Sequence, residues 1–154
     1  MTKKDNLAEY ILHLWQMEDV VRAFHEDEVL QQNPFLSDLC AMMRAEGVLD
    51  SGHTQIAKNA LSEAEETHRQ LLDDASYRAA AMQLQPSLAL LKSKTPNPEI
   101  SDIEMMFIFL YDIMLLRLQK REISDDTLRL QKQVSRLLAH LSRAYKQMRE
   151  EECQ

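Results

Sequence analysis

The 154 residues carry 18 Lys and Arg against 25 Asp and Glu, and a net charge of −7 disfavours broad binding to phosphate backbones. Only 2 Gly and 4 Pro leave little material for the turns of a sheet, whereas nine Met and many strong helix formers point to an all-α chain. The length suits one domain with a real core, read as a single compact bundle of about six helices over residues 1–154 with frayed ends at 1–5 and 150–154.

In chain order, Met1 to Asp5 is basic but no apolar segment follows it, so no export signal is read and a cytoplasmic location is expected. Asn6 is the N-cap of a first helix to about Phe24, with Leu7, Ile11, Leu14, Met17 and Val21 in one stripe. A short helical piece holds Val29 and Leu30, and Asn33-Pro34 opens a second helix that stops at Gly47. Cys40 within it and Cys153 in the charged tail form no CxxC, which fits a reducing compartment. The loop from Val48 to His53 leads into a third helix from about Thr54 to Leu72. A fourth follows Ser76, where Pro86 is expected to kink or split it.

Lys94 to Pro98 is the clearest connector. Ser101 and Glu104 then have capping-box spacing for a fifth helix running from Asp102 to about Arg121. Its apolar run from Met105 to Leu116 is interrupted by Asp112 and falls short of the ~20 residues that cross a bilayer, so no membrane partner is expected. Ile103, Met106, Phe107 and Leu110 make one apolar arc and Met105, Ile108, Phe109 and Leu115 another, as in a central helix or one at a subunit interface. Ser124 caps a sixth helix to about Arg149, apolar through Leu130, Val134, Leu137, Leu141 and Tyr145. Residues 117–149 hold nine basic and three acidic side chains, so this helix either docks on an acidic body or faces an acidic or nucleic-acid partner.

Four segments carry a resemblance: Asn6 to Asp19 with Arg22-Ala23, Met43 to Val48, Gly52 to Asn59, and Leu115 to Ser124. They resemble an uncharacterised all-helical Bacteroidetes-type family known as a domain of unknown function. That likeness implies a compact helical bundle and supplies no activity, substrate or catalytic residue.

Polar residues inside apolar stripes supply the remaining candidates. Glu18 falls among Leu7, Ile11, Leu14 and Val21, His68 among Ala57, Ala60, Ala64 and Leu71, and Arg117 on the Leu110 and Ile113 arc. Buried charges are normally paired, so the expectation is a cluster of Glu18, Arg117, Arg22, His68 and Trp15, with Glu18 meeting Arg117. His53, Gln55, Lys58 and Asn59 stand at a helix start, where free backbone N–H groups favour an anion or small ligand. Glu65 and His68 have the Glu-x-x-His spacing of di-metal bundles, but a second copy is missing, so no metal or other cofactor is expected. With no catalytic motif, the leading reading is a non-enzymatic interaction or scaffold bundle with a protein partner or self-association. The alternative is a metal- or small-ligand-binding helical enzyme using Glu18, His68 and the His53 loop, and nucleic acid ranks last.

Overall fold

Each helix starts on a side chain that accepts a backbone N–H otherwise left without a partner: Asn6, Asp27, Asn33, Thr54, Asp74, Ser101 and Ser124. In the computed structural model, which describes residues 2–153, these caps open α1 (Leu7–Phe24), α2 (Glu28–Gln32), α3 (Pro34–Glu46), α4 (Gln55–Leu71), α5 (Ala75–Ser93), α6 (Asp102–Leu118) and α7 (Asp125–Glu152). The described residues contain no strand, and the protein is an all-α bundle. The short piece around Val29 and Leu30 is a helix in its own right, which brings the count from about six to seven. Met1 and Gln154, the outermost residues of the two ends expected to fray, lie outside the described residues.

Five helices share one core. α4 packs on α1, α6 and α7, while α7 also packs on α1, α5 and α6. Leu7, Ile11, Trp15, Ala60, Tyr77, Leu88, Phe107 and Leu141 close the space between them. Each large apolar side chain removed from water there stabilises the fold by about 1.5–3 kcal/mol. Ser142 of α7 accepts the amide of Ala8 at 3.1 Å, which satisfies a buried N–H in the first turn of α1. A smaller cluster of Val21, Leu30, Leu39, Cys40 and Met43 joins α2 and α3 to the C-terminal half of α1.

α6 is the central helix foreseen from its two apolar arcs. Ile103, Met106 and Phe107 are buried on one arc and Met105 and Phe109 on the other, against α1, α4, α5 and α7. It ends at Leu118, earlier than expected, because Lys120 takes up a left-handed conformation (φ 57°) that closes the last turn with the Arg121 amide on the Leu116 carbonyl. α5 runs through Pro86 without a break. The carbonyl that this proline cannot serve belongs to Met82, and both residues are exposed, so water can replace the lost donor.

α7 corrects one expectation. Its apolar face docks on the bundle as foreseen, with Val134, Leu137, Leu138, Leu141 and Tyr145 buried, but its cations do not lie on an acidic body. Arg129, Lys132, Arg136, Arg143 and Lys146 all point to solvent.

Candidate functional site

α1 carries Trp15, Glu18, Asp19 and Arg22 on the side that meets the loop between α3 and α4. That loop begins at Gly47, whose left-handed backbone (φ 72°) ends α3 and lets the Val48 amide return to the Met43 carbonyl at 3.0 Å. It turns again at Gly52 (φ 92°) before His53 and the cap Thr54. Arg22 spans the loop by donating to the carbonyls of Val48, at 3.1 Å, and Gly52, and it also pairs with Asp19 at 3.0 Å.

Glu18 is fully buried (0% exposed) and its partners come from this loop. One carboxylate oxygen meets His53 Nδ1 at 2.7 Å, and the other accepts both the Thr54 amide and the Thr54 hydroxyl at 2.8 Å. Burial alone would push the Glu18 carboxyl up, but the hydrogen bonds from His53 and Thr54 outweigh it and hold the carboxyl below its ordinary value. An ionised Glu18 can only accept, so Nδ1 of His53 carries the proton and Nε2 is left for solvent or a ligand. Trp15 lies under the His53 ring, 4.6 Å between centroids and 20° from parallel, and is itself boxed by Phe107 and Tyr111. Tyr111 of α6 donates to Asp19, and burial together with that carboxylate pushes its hydroxyl pKa upward. Glu104, one turn before Ile108 on α6, is raised by burial and by the nearby charge of Glu65, against a lowering influence from His53.

The two candidate sets read from the sequence thus merge in part. Trp15, Glu18 and Arg22 come together as expected, and His53 joins them from the other set. Arg117 does not: it is exposed at the end of α6 and donates to Gln131 of α7 at 2.8 Å, so the Glu18–Arg117 pair is not formed. His68 faces a different neighbour, with Nδ1 2.7 Å from the hydroxyl of Tyr77, and burial lowers its pKa. Tyr77 in turn meets His140 edge-on. Nor do Gln55, Lys58 and Asn59 frame an anion site. The helix start that would attract an anion is already filled by the protein's own carboxylates, Glu18 on the Thr54 amide and Glu46 on the Gln55 amide at 2.7 Å. Gln55 and Asn59 bond to each other and, with Lys58, lie exposed.

Thr54, Asp19, Tyr111 and Glu104 were not singled out as members of this cluster. In the sequence Thr54 reads only as the start of a helix, and the Asp19–Tyr111 contact joins residues 92 positions apart, with no local signal. Among the described residues, no group of three or more His, Cys, Asp or Glu side chains is placed to hold a metal ion. No described helix is long and apolar enough to cross a membrane.

A second feature lies at the α1–α3 corner. Phe24 is 55% exposed, Val29 73% and Phe35 51%, three large apolar side chains at the end of α1, in α2 and at the start of α3.

The family model described as a domain of unknown function, DUF4924, matches residues 25–152. The chain belongs to that family. The matched stretch contains His53, Thr54, Glu104 and Tyr111, whereas Trp15, Glu18 and Arg22 precede it. Comparison with the curated proteins and with the solved structures finds no match.

Proposed function

We propose that the protein is a non-enzymatic interaction or scaffold module that binds a protein partner through the corner formed by Phe24, Val29 and Phe35. The observation that carries this reading is the exposure of those three side chains. They stand at the end of α1, in α2 and at the start of α3, within twelve residues of one another, and exposed large apolar side chains are a recurrent mark of protein contact sites. The buried polar cluster fits the same reading. Glu18 spends its oxygens on His53 and Thr54, and the two terminal nitrogens of Arg22 bond to two loop carbonyls and Asp19 while its buried Nε has no partner among the described residues, so the cluster acts as a clasp that fastens the loop to α1. The free thiols of Cys40 and Cys153 suit a reducing cytoplasm, in keeping with a bacterial cytoplasmic protein that folds as one domain.

A photo-crosslinking residue placed at Val29, and in a separate variant at the equally exposed Met82, tests the assignment in the host cell. The reading expects one discrete protein adduct from Val29, competed away when the parent protein is overproduced in the same cells, and none from Met82. Equal adducts from both positions, or none from Val29, would contradict it.

One observation favours the alternative of a small-ligand-binding enzyme: Glu18 holds His53 by Nδ1 while 38% of that side chain is exposed, with the Glu104 carboxyl near enough to feel its charge. On that reading His53 would act as acid, base or ligand, and His68 would stay outside the site. Absence of a Val29 adduct from the parent, together with a co-purifying metabolite whose binding a His53→Gln variant abolishes, would support the alternative over the interaction module.

A further inference from the structure

The outer face of α7 goes beyond the apolar corner and stands on separate observations. Residues 127–149 contain six Lys and Arg, one His and no Asp or Glu, in a chain whose net charge is −7. Arg129, Lys132, Arg136, Arg143 and Lys146 are all exposed. At 3.6 residues per turn, their spacing gathers them within about 100° of the helix circumference, in a straight ridge about 26 Å long. Among the described residues, Arg129 alone of the five is paired with a carboxylate, that of Asp126 in the preceding turn. The opposite face of α7 is spent on the core, so the ridge takes no part in the packing.

We propose that this ridge docks an acidic helix of a partner protein. Three observations choose that occupant over a nucleic acid. Acids bracket the ridge, Asp125 and Asp126 at one end and Glu150, Glu151 and Glu152 at the other, so a polyanion running on past either end meets like charge, whereas a helix of matching length does not. None of the exposed residues of α7 is an aromatic on which bases could stack, its one tyrosine, Tyr145, being buried. The rest of the molecule is acidic and repels a polyphosphate at long range, a repulsion that a short acidic segment feels less. The helical form of the occupant follows from the ridge itself. A straight row of cations at i, i+3 and i+7 is matched by carboxylates at the same spacing on a second helix, as in the charged flanks of paired helices. Two α7 ridges cannot pair with each other, since both are basic along their centres.

The test uses the full chain and defined probes. One is a labelled alanine-based helical peptide of about the ridge's length with glutamates along one face. The others are the same residues reordered so that the glutamates surround the helix, and a duplex DNA longer than the ridge. Fluorescence anisotropy should show the one-faced peptide binding most tightly and weakening as salt rises. Its affinity should fall by at least about tenfold in Arg136→Glu/Arg143→Glu. A milder Arg136→Gln/Arg143→Gln variant should fall between, with helical content and unfolding midpoint unchanged in both. Duplex DNA should bind more weakly than the peptide and gain affinity in Glu150→Lys/Glu151→Lys, which removes the bracket. Absence of peptide binding, equal binding of the reordered peptide, or indifference to both substitutions would overturn the proposal. Tighter binding of DNA than of the peptide would assign the ridge to nucleic acid, and a parent dimer that the Arg136/Arg143 reversal splits would assign it to a second copy. None of these measurements touches the α1–α3 corner, so their failure leaves the crosslinking result intact, and the reverse holds.

Discussion

Replacing Glu18 by Ala strips the loop of its anchor, and the geometry sets the size of the loss. The Thr54 amide and hydroxyl, both within 2.8 Å of the carboxylate on a fully buried residue, are left without that acceptor. A buried donor without a partner costs about 1–3 kcal/mol, and removing one side of a buried charged cluster about 3–5 kcal/mol in all. The His53 contact adds little, because its ring is 38% exposed and solvent screens it. Glu18→Gln keeps an oxygen for Thr54 and loses the charge, so its cost should be smaller, about 1–2 kcal/mol. Urea unfolding at neutral pH measures both, and a double-mutant cycle asks which partner is real. Coupling of Glu18 to Thr54→Ala should be clear and coupling to Arg117→Met near zero, since Arg117 bonds to Gln131. The pH dependence follows from the carboxyl being held below its ordinary 4.5. Above that value the stabilisation is present in full, and it is lost as pH falls through the lower folded-state value, because the unfolded chain takes up the proton first. The gap between parent and Glu18→Gln should therefore narrow on acidification. A Glu18→Ala protein within about 0.5 kcal/mol of the parent, or coupling to Arg117 as large as to Thr54, would refute the clasp.

Gly52→Ala should destabilise by about 1 kcal/mol or more, read as a lower urea midpoint, because φ is 92° there and a side chain pays for a backbone region that glycine enters freely. Phe109→Lys, on the second arc of α6 and only 7% exposed, should cost at least about 3 kcal/mol and broaden or lower the thermal transition, much as a charge at Phe107 would. His68 is held below its ordinary 6.5 chiefly by burial, so the parent should lose stability as pH falls below that value. A His68→Gln variant should lose less over the same interval in pH-dependent urea titrations.

The helix starts and the buried faces were legible in the sequence because both are local. Asn6, Ser101 and Ser124 cap the helices they were expected to cap, and the stripe that put Glu18 in the core did so from a 3.6-residue repeat alone. Partners were not legible. Periodicity places a side chain on a face but does not say which helix meets that face, and Glu18 found its acceptor geometry filled by a loop 35 positions away. Arg117 shares an arc with Ile113, yet it stands in the last turn of α6, where the chain leaves the bundle and Lys120 reverses it, so the arc no longer faces core. The cations of α7 were misdirected for a related reason. Net charge by segment suggests attraction between a basic helix and an acidic body, but the apolar face takes the packing surface and leaves the cations the outside.

Stability and contact measured side by side on two variants bear most directly on the claim that the polar cluster holds the fold while the apolar corner meets a partner. In Phe24→Ser/Phe35→Ser, the urea midpoint should stay at the parent's value, because both side chains are more than half exposed, and the adduct from the Val29 crosslinker should disappear. Thr54→Ala, which removes the one hydroxyl that holds Glu18, should lower the midpoint and, in the folded protein, leave the adduct in place. The opposite pattern, a corner variant that unfolds early and keeps its adduct beside a clasp variant that stays stable and loses it, would contradict the assignment of both.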